Sequence, residues 1–201
     1  MHAYLDAIAM HMHTLRTQAS HALATGAAWA ADTVQADGII RVFGSGHAGI
    51  LADETFYRAG GLACVSPIRI PGLLTTVRPI TAATERERRD GYATHSLENQ
   101  RLDPGDLVVV HSASGRNAAP VEVALWARER GARTIGITSV AFSQAGSPRN
   151  GLGRRLHEMV DLVIDTGMPP GDAAVRLPGL AVPVGPTSTI LGAAAVHALL
   201  S

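Results

Sequence analysis

Apolar residues recur along this chain in two rhythms, and the change between them marks out its elements. Over residues 1–36, Leu5, Ile8, Met12, Leu15, Ala19, Ala22 and Leu23 return at three- and four-residue steps. This is the stripe of an amphipathic helix, and it predicts one long helix. Beyond Gly38 the apolar positions bunch into short runs at residues 39–43 (IIRVF), 62–68 (LACVSPI), 107–110 (LVVV), 132–139 (ARTIGITS) and 162–165 (LVID). Such runs suit strands buried on both faces. Helices are predicted between them. One passes through Leu51, Phe56 and Tyr57 and stops at Gly60 and Gly61; another spans 84–99, with Thr84 as N-cap and Glu87 completing a capping box. Further helices are expected at 120–130, closed by Gly131, at 154–160, and from Pro186 to the end. Residues 69–83 read as irregular and 140–153 as a mobile Ser/Gly/Pro loop. Residues 167–175 read as a loop over the mouth of the sheet, followed by a short strand at 180–184.

Strands alternating with helices predict a parallel sheet covered on both faces, a three-layer α/β/α sandwich. The division expected is a helix over 1–36, packed on the core or on a partner subunit, and a single unit over 37–201. In a five-stranded sheet of order 2-1-3-4-5, the loops after the first and third strands are neighbours at the switch point, where ligands bind.

Those two loops carry the candidate chemistry. After residues 107–110 the chain breaks into HSASGRN before a helix, placing Ser112, Ser114, Gly115 and Asn117 at a strand's C-terminal end. Unpaired N–H groups and a close-approaching glycine make this a phosphate cradle. The first strand runs into GSGHAG, with Ser45, Gly46 and His47 as a second wall. His47 is suited to binding phosphate, moving a proton or capping the helix. Glu54, one to two turns on, is a candidate general base. Thr187 and Ser188 offer hydroxyls for a third wall, and Asp172 is the only acid of the 167–175 loop. The charge cluster 85–90 reads as a solvated face, with Glu87 or Asp90 as the candidate to turn into a cleft. The glycines of GSGHAG also match G-x-G-x-x-G, but no Asp or Glu ends the next strand, so NAD binding is not expected.

Composition narrows the partners. The chain has 201 residues, 17 basic against 17 acidic side chains, and no lysine. Schiff-base chemistry, lysine-anchored pyridoxal phosphate and a P-loop lysine are thereby excluded. No basic excess points to nucleic acid, and no apolar stretch approaches the roughly 20 residues of a membrane span. A single cysteine, Cys64, fits a reducing compartment, so a cytoplasmic protein is expected. His2, His11, His13 and His21 lack the i, i+4 spacing that places two imidazoles on one helical face, so neither metal nor other cofactor is expected.

Taken together and in order, VFGSGHAG, ADETFYRAGGLA, SASGRNAAPVEVA, GDAAV and VGPTSTILGA resemble the sugar isomerase (SIS) domain family, over nearly the whole chain. The resemblance is strongest to its small stand-alone members. It implies a flavodoxin-like sandwich that binds a phosphorylated sugar as a homodimer or homotetramer. It implies phosphate contacts from Ser112, Ser114 and Asn117, with Ser45, Thr187 and Ser188 as further candidates. Glu54 falls where isomerases of heptose-phosphate type place a catalytic glutamate, and His197 lies on the final helix, which supplies a catalytic acid in some relatives. The chain departs from similar members at Ala113, where Asn is usual, at Ala48 and Gly49, where GTGHSH is frequent, and at His197, where Asn is common. The absence of lysine argues against the amidotransferase-linked branch. The function expected is aldose–ketose isomerisation of a sugar phosphate through an enediol(ate), by Glu54 and His47. The alternatives are a non-catalytic phosphosugar sensor and an ether-cleaving lyase on the same fold.

Overall fold

The computed structural model describes residues 2–201. Five strands form one parallel sheet: β1 (Ile40–Phe43), β2 (Val65–Pro67), β3 (Leu107–His111), β4 (Arg133–Thr138) and β5 (Leu162–Asp165), in the order β2-β1-β3-β4-β5. This is the architecture expected from the alternation of apolar runs and helices. β3 lies at the centre with all five residues buried. Its side chains alternate between two cores: Leu107 and Val109 face one, Val108 and Val110 the other. A strand with water on neither side has no polar face to show, which is why its sequence is a continuous apolar run.

One core lies beneath α2 (Ser20–Gln35), α3 (Ile50–Thr55) and α9 (Ser188–Leu200); the other lies beneath α5 (Tyr92–Leu97), α6 (Ala118–Glu129) and α8 (Leu156–Met159). α9 is apolar around most of its circumference and buries Leu191, Ala195, Val196 and Leu199. It approaches so closely that a Cβ on Gly192 would lie 2.7 Å from His111 Nε2 and from Leu51 Cδ2.

Several boundaries differ from the sequence reading. The long N-terminal helix is two, α1 (His2–Gln18) and α2, separated at the buried Ala19. Only Leu15 of α1 is buried, whereas Leu5, Met10 and Met12 remain exposed. α3 ends at Thr55, before Phe56 turns extended. α4 (Thr81–Arg88) begins three residues earlier than expected, so Thr84 lies inside the helix and is not its cap. The chain then breaks at Gly91 (φ +78°) before α5, because Glu122 of α6 accepts from the N–H groups of Gly91 and Thr94. Residues 140–153 are not loop throughout: α7 (Val140–Gln144) forms there, capped by the Ser139 hydroxyl accepting from Phe142 N–H. The strand expected at 180–184 reduces to one antiparallel bridge between Val175 and Val184. No helix among the described residues is long and apolar enough to cross a membrane.

Candidate functional site

The loops after β1 and β3 meet at the C-terminal edge of the sheet, around a hollow of about 330 Å³. Ser45, Gly46, His47 and Ala48 form one wall, and His111, Ser112, Ala113 and Ser114 the facing one. Thr84 and Glu87 of α4, Phe142 of α7, and Gly171, Asp172 and Ser188 complete the lining. Sheet order does most of the positioning: β1 and β3 are hydrogen-bonded neighbours, so two loops more than sixty residues apart must leave the sheet side by side.

Within the second loop the backbone is committed at its ends and open in the middle. Ser112 N–H donates to the Ile137 carbonyl, and Gly115 N–H donates to Ser112 Oγ at 3.2 Å. The N–H groups of Ala113 and Ser114 have no acceptor among the described residues, and both residues face the hollow. Gly115 holds φ +59°, and a Cβ there would lie 3.0 Å from Thr138 Oγ1; it turns the chain and packs it. In the first loop Gly46 also needs a positive φ, +56°. Ser45 Oγ donates to Glu87 Oε1 at 2.6 Å, fixing a carboxylate at the rim. His47 is exposed at the mouth.

Beneath them His111 joins the two walls, with Nδ1 3.5 Å from the Ala48 carbonyl. Burial pushes its pKa down to about 4, against the opposing pull of that carbonyl and of Asp172. The imidazole is therefore neutral at pH 7 and adds no charge to the floor. The sequence reading marked neither His111 nor Thr84 as a site residue, Thr84 entering it only as a helix cap. The one available signal was a polar residue closing an otherwise apolar central strand, directly before the cradle.

The remaining candidates are placed differently. Gly115 and Asn117 do not line the hollow; Asn117 is buried at the start of α6, with Oδ1 unpartnered. Thr187 is wholly buried and does not line it either. Its N–H donates to Asp172 Oδ1 at 2.8 Å, as does that of Ser188 at 2.9 Å, while Ser188 Oγ donates to Oδ2 at 2.5 Å. The positive end of α9 is thus already matched by the protein's own carboxylate, and the third anion wall expected from these hydroxyls is taken up by Asp172. Glu54 is also absent from the lining. It pairs with Arg58, just beyond the end of α3, and lies 3.3 Å from His197 Nε2 of α9, with its side chain about two-fifths exposed. Glu87, read mainly as surface charge, faces the hollow together with Asp172, whose oxygens accept from Thr187 and Ser188; Asp90 accepts from Gly151 N–H outside it.

The family model for the SIS domain matches residues 3–139. The chain belongs to the SIS domain family. A UPF0309 protein of Oceanobacillus iheyensis is 38% identical over 200 residues, covering 100% of this chain and 81% of that protein. A UPF0309 protein of Shouchella clausii is 43% identical over 159 residues, covering 79% of this chain but only 65% of its own length. Among solved structures, a phosphoheptose isomerase (GmhA) of Neisseria gonorrhoeae superposes with a TM-score of 0.66 at 16% identity, over 98% of this chain and 94% of that one. The sugar isomerase domain of an RpiR transcription factor from Sphaerobacter thermophilus does so with 0.52 at 16% identity, over 98% and 83%. At such identities the SIS fold is what is shared, and it serves both an enzyme and a regulator.

Proposed function

We propose that this SIS domain protein binds a phosphorylated sugar in the hollow between its two serine loops and interconverts aldose and ketose forms. The supporting observation is the convergence of free backbone amides, hydroxyls, two carboxylates (Glu87 and Asp172) and two imidazoles (His47 and His111) on a single cavity at the sheet's switch point. The phosphate sits against the amides of Ala113 and Ser114 and the hydroxyls of Ser112 and Ser114. Glu87, oriented by Ser45, removes the proton from the carbon beside the carbonyl and returns it to the neighbouring carbon of the enediol(ate). His47 at the mouth polarises the carbonyl oxygen. The base role that the resemblance attaches to Glu54 passes to Glu87 because Glu87 faces the hollow and Glu54 does not.

Isomerisation of a sugar-phosphate panel, followed by NMR, tests this. Glu87→Gln is expected to keep sugar-phosphate binding and to lose about 10²–10⁴-fold in turnover, the usual worth of one general base. A Glu87→Gln protein as active as the wild type refutes the assignment. Glu54→Gln, measured beside it, decides between the carboxylates, since the contact of Glu54 with His197 favours a second acid–base reading on the α3–α9 surface. Binding without turnover of any sugar in the panel would favour a sensor, the role suggested by the RpiR-type neighbour.

A further inference from the structure

Beside the hollow the chain gathers three arginines that pair with no carboxylate among the described residues: Arg88, Arg116 and Arg149. Their meeting is built by the backbone. Arg149 N–H donates to the Arg116 carbonyl at 2.7 Å, Asn150 Nδ2 donates to the same carbonyl at 3.0 Å, and Asn117 and Arg149 form a parallel bridge. Gly151 N–H donates to Asp90 Oδ1 at 2.8 Å, drawing the same segment to the end of α4. Arg88 stands four residues after Thr84 on α4, one turn along the same helix face, beside the hollow and not in its lining. Arg116 lies over the ring of Phe142, 5.5 Å from its centroid, and Phe142 is itself a wall of the hollow.

Glu87 hydrogen-bonds Ser45 and Asp90 accepts from Gly151, and neither forms an ion pair with these guanidiniums. Arg116 Nε is buried without a hydrogen-bond partner. A guanidinium brings five donors in a fixed fork, and leaving them unpartnered beside other cations is unfavourable unless an anion arrives. Burial holds Arg149 below the ordinary arginine value, and the charges of Arg116 and Arg88 add to that, opposed by Glu87. Ordinary surface arginines spread apart; backbone hydrogen bonds hold Arg116 and Arg149 together and leave their side chains free, and the tie from Gly151 to Asp90 keeps the end of α4, with Arg88, beside them.

We propose that Arg88, Arg116 and Arg149 receive a second anionic group, carboxylate or phosphate, on the sugar phosphate bound in the hollow. The substrate class narrows to sugar phosphates bearing two anionic groups. This rests on the phosphosugar reading, in which the first phosphate is held by the serine loops. Guanidinium pairs with either anion bidentately, so the chemistry is shared and the two sources are separated by experiment.

Isothermal titration of the full chain with matched probes makes that separation. Fructose 6-phosphate is compared with fructose 1,6-bisphosphate, and glucose 6-phosphate with 6-phosphogluconate. The expected result is at least about tenfold tighter binding of one doubly anionic probe than of its partner. That ratio should fall towards one in Arg149→Gln and be partly kept in Arg149→Lys, with circular dichroism confirming the fold of each. Preference for the bisphosphate identifies phosphate as the second group; preference for the sugar acid identifies carboxylate. Equal affinity within each pair in the wild type, or a preference that survives Arg149→Gln and Arg116→Gln together, overturns the inference and leaves the phosphosugar reading standing. Failure of every phosphorylated probe to bind overturns both.

Discussion

His111 combines burial, a strand end and a place in the floor of the hollow, and its titration follows from them. Its ring is 2% exposed, and its pKa falls to about 4 from an ordinary 6.5, chiefly by desolvation. Above pH 6.5 the imidazole is neutral whether the chain is folded or not, so its stabilising share is complete there. As pH falls from 6.5 towards 4 the unfolded chain takes up a proton that the folded protein refuses, and stability drops. The loss reaches about 3 kcal/mol near pH 4, since each pKa unit is worth roughly 1.4 kcal/mol. Urea denaturation at pH 7, 5.5 and 4.5 checks the sign. Wild type should weaken steadily over that window, and His111→Asn, starting less stable, should show a visibly flatter decline. A parallel decline in both proteins would show that other groups carry the pH dependence. The same neutrality suits the phosphate site proposed above, because the imidazole adds no charge beneath the open amides of Ala113 and Ser114. The sequence offered little route to this residue, since LVVVH reads as one more strand until the fold shows that its last position faces the first loop.

α1 and α9 show what periodicity can and cannot decide for an element. Both are apolar enough to be read as helices, and both are. α9 buries its apolar surface against α1, α2, α3 and β4, whereas α1, which also packs on α9, leaves Leu5 60%, Met10 59% and Met12 36% exposed. An apolar stripe fixes that a helix has something to cover but not what covers it, so intramolecular burial and a subunit interface gave the same sequence signal. The break at Ala19 was illegible for a related reason: no Gly or Pro marks it, and tertiary packing of a buried alanine sets the bend. We propose that the exposed face of α1 joins two copies of the chain; the family resemblance implied a homodimer or homotetramer without saying which face forms it. Sedimentation velocity at micromolar concentration should give a homodimer or homotetramer, and Leu5→Asp with Met12→Asp should shift it towards monomer. A wild-type monomer under those conditions refutes the assignment. The N-terminus of α9 shows the opposite limit. Thr187, Ser188 and Asp172 were each legible as polar groups near an anion site, but that Asp172 itself occupies the helix end depends on a loop returning through positive φ (+52°), which no spacing announces.

At the scale of the whole molecule, topology carried more information than any single motif. Alternation predicted a parallel sheet, the family resemblance implied its flavodoxin-like order, and with that order came the meeting of Ser45 with Ser112 and Ser114, which depends only on β1 and β3 being adjacent. Side-chain direction did not follow. Glu54 and Glu87 are both helix carboxylates downstream of strands, and only the pitch and start of α3 and α4 decide which one looks inward. α4 starts three residues earlier than its capping signals suggested, and so carries Glu87 to the rim. A site assembled from loops of one rigid sheet, with its anion donors already oriented, should bind without large rearrangement and stabilise the fold by mass action. A ligand at a hundredfold excess over its dissociation constant adds about 2.7 kcal/mol. For a chain of this size that corresponds to a rise in melting temperature of roughly 5–10 °C, since 1 kcal/mol moves Tm by about 2–4 °C. Differential scanning fluorimetry with sugar phosphates, and with the same sugars dephosphorylated, reads this directly. The phosphorylated forms should raise Tm and the free sugars should not, and Ser114→Ala should reduce the rise by removing a hydroxyl from the wall opposite Ser45. Equal stabilisation by both forms would mean that the serine loops grip the sugar and not its phosphate, and the cradle at the sheet's edge would lose its function.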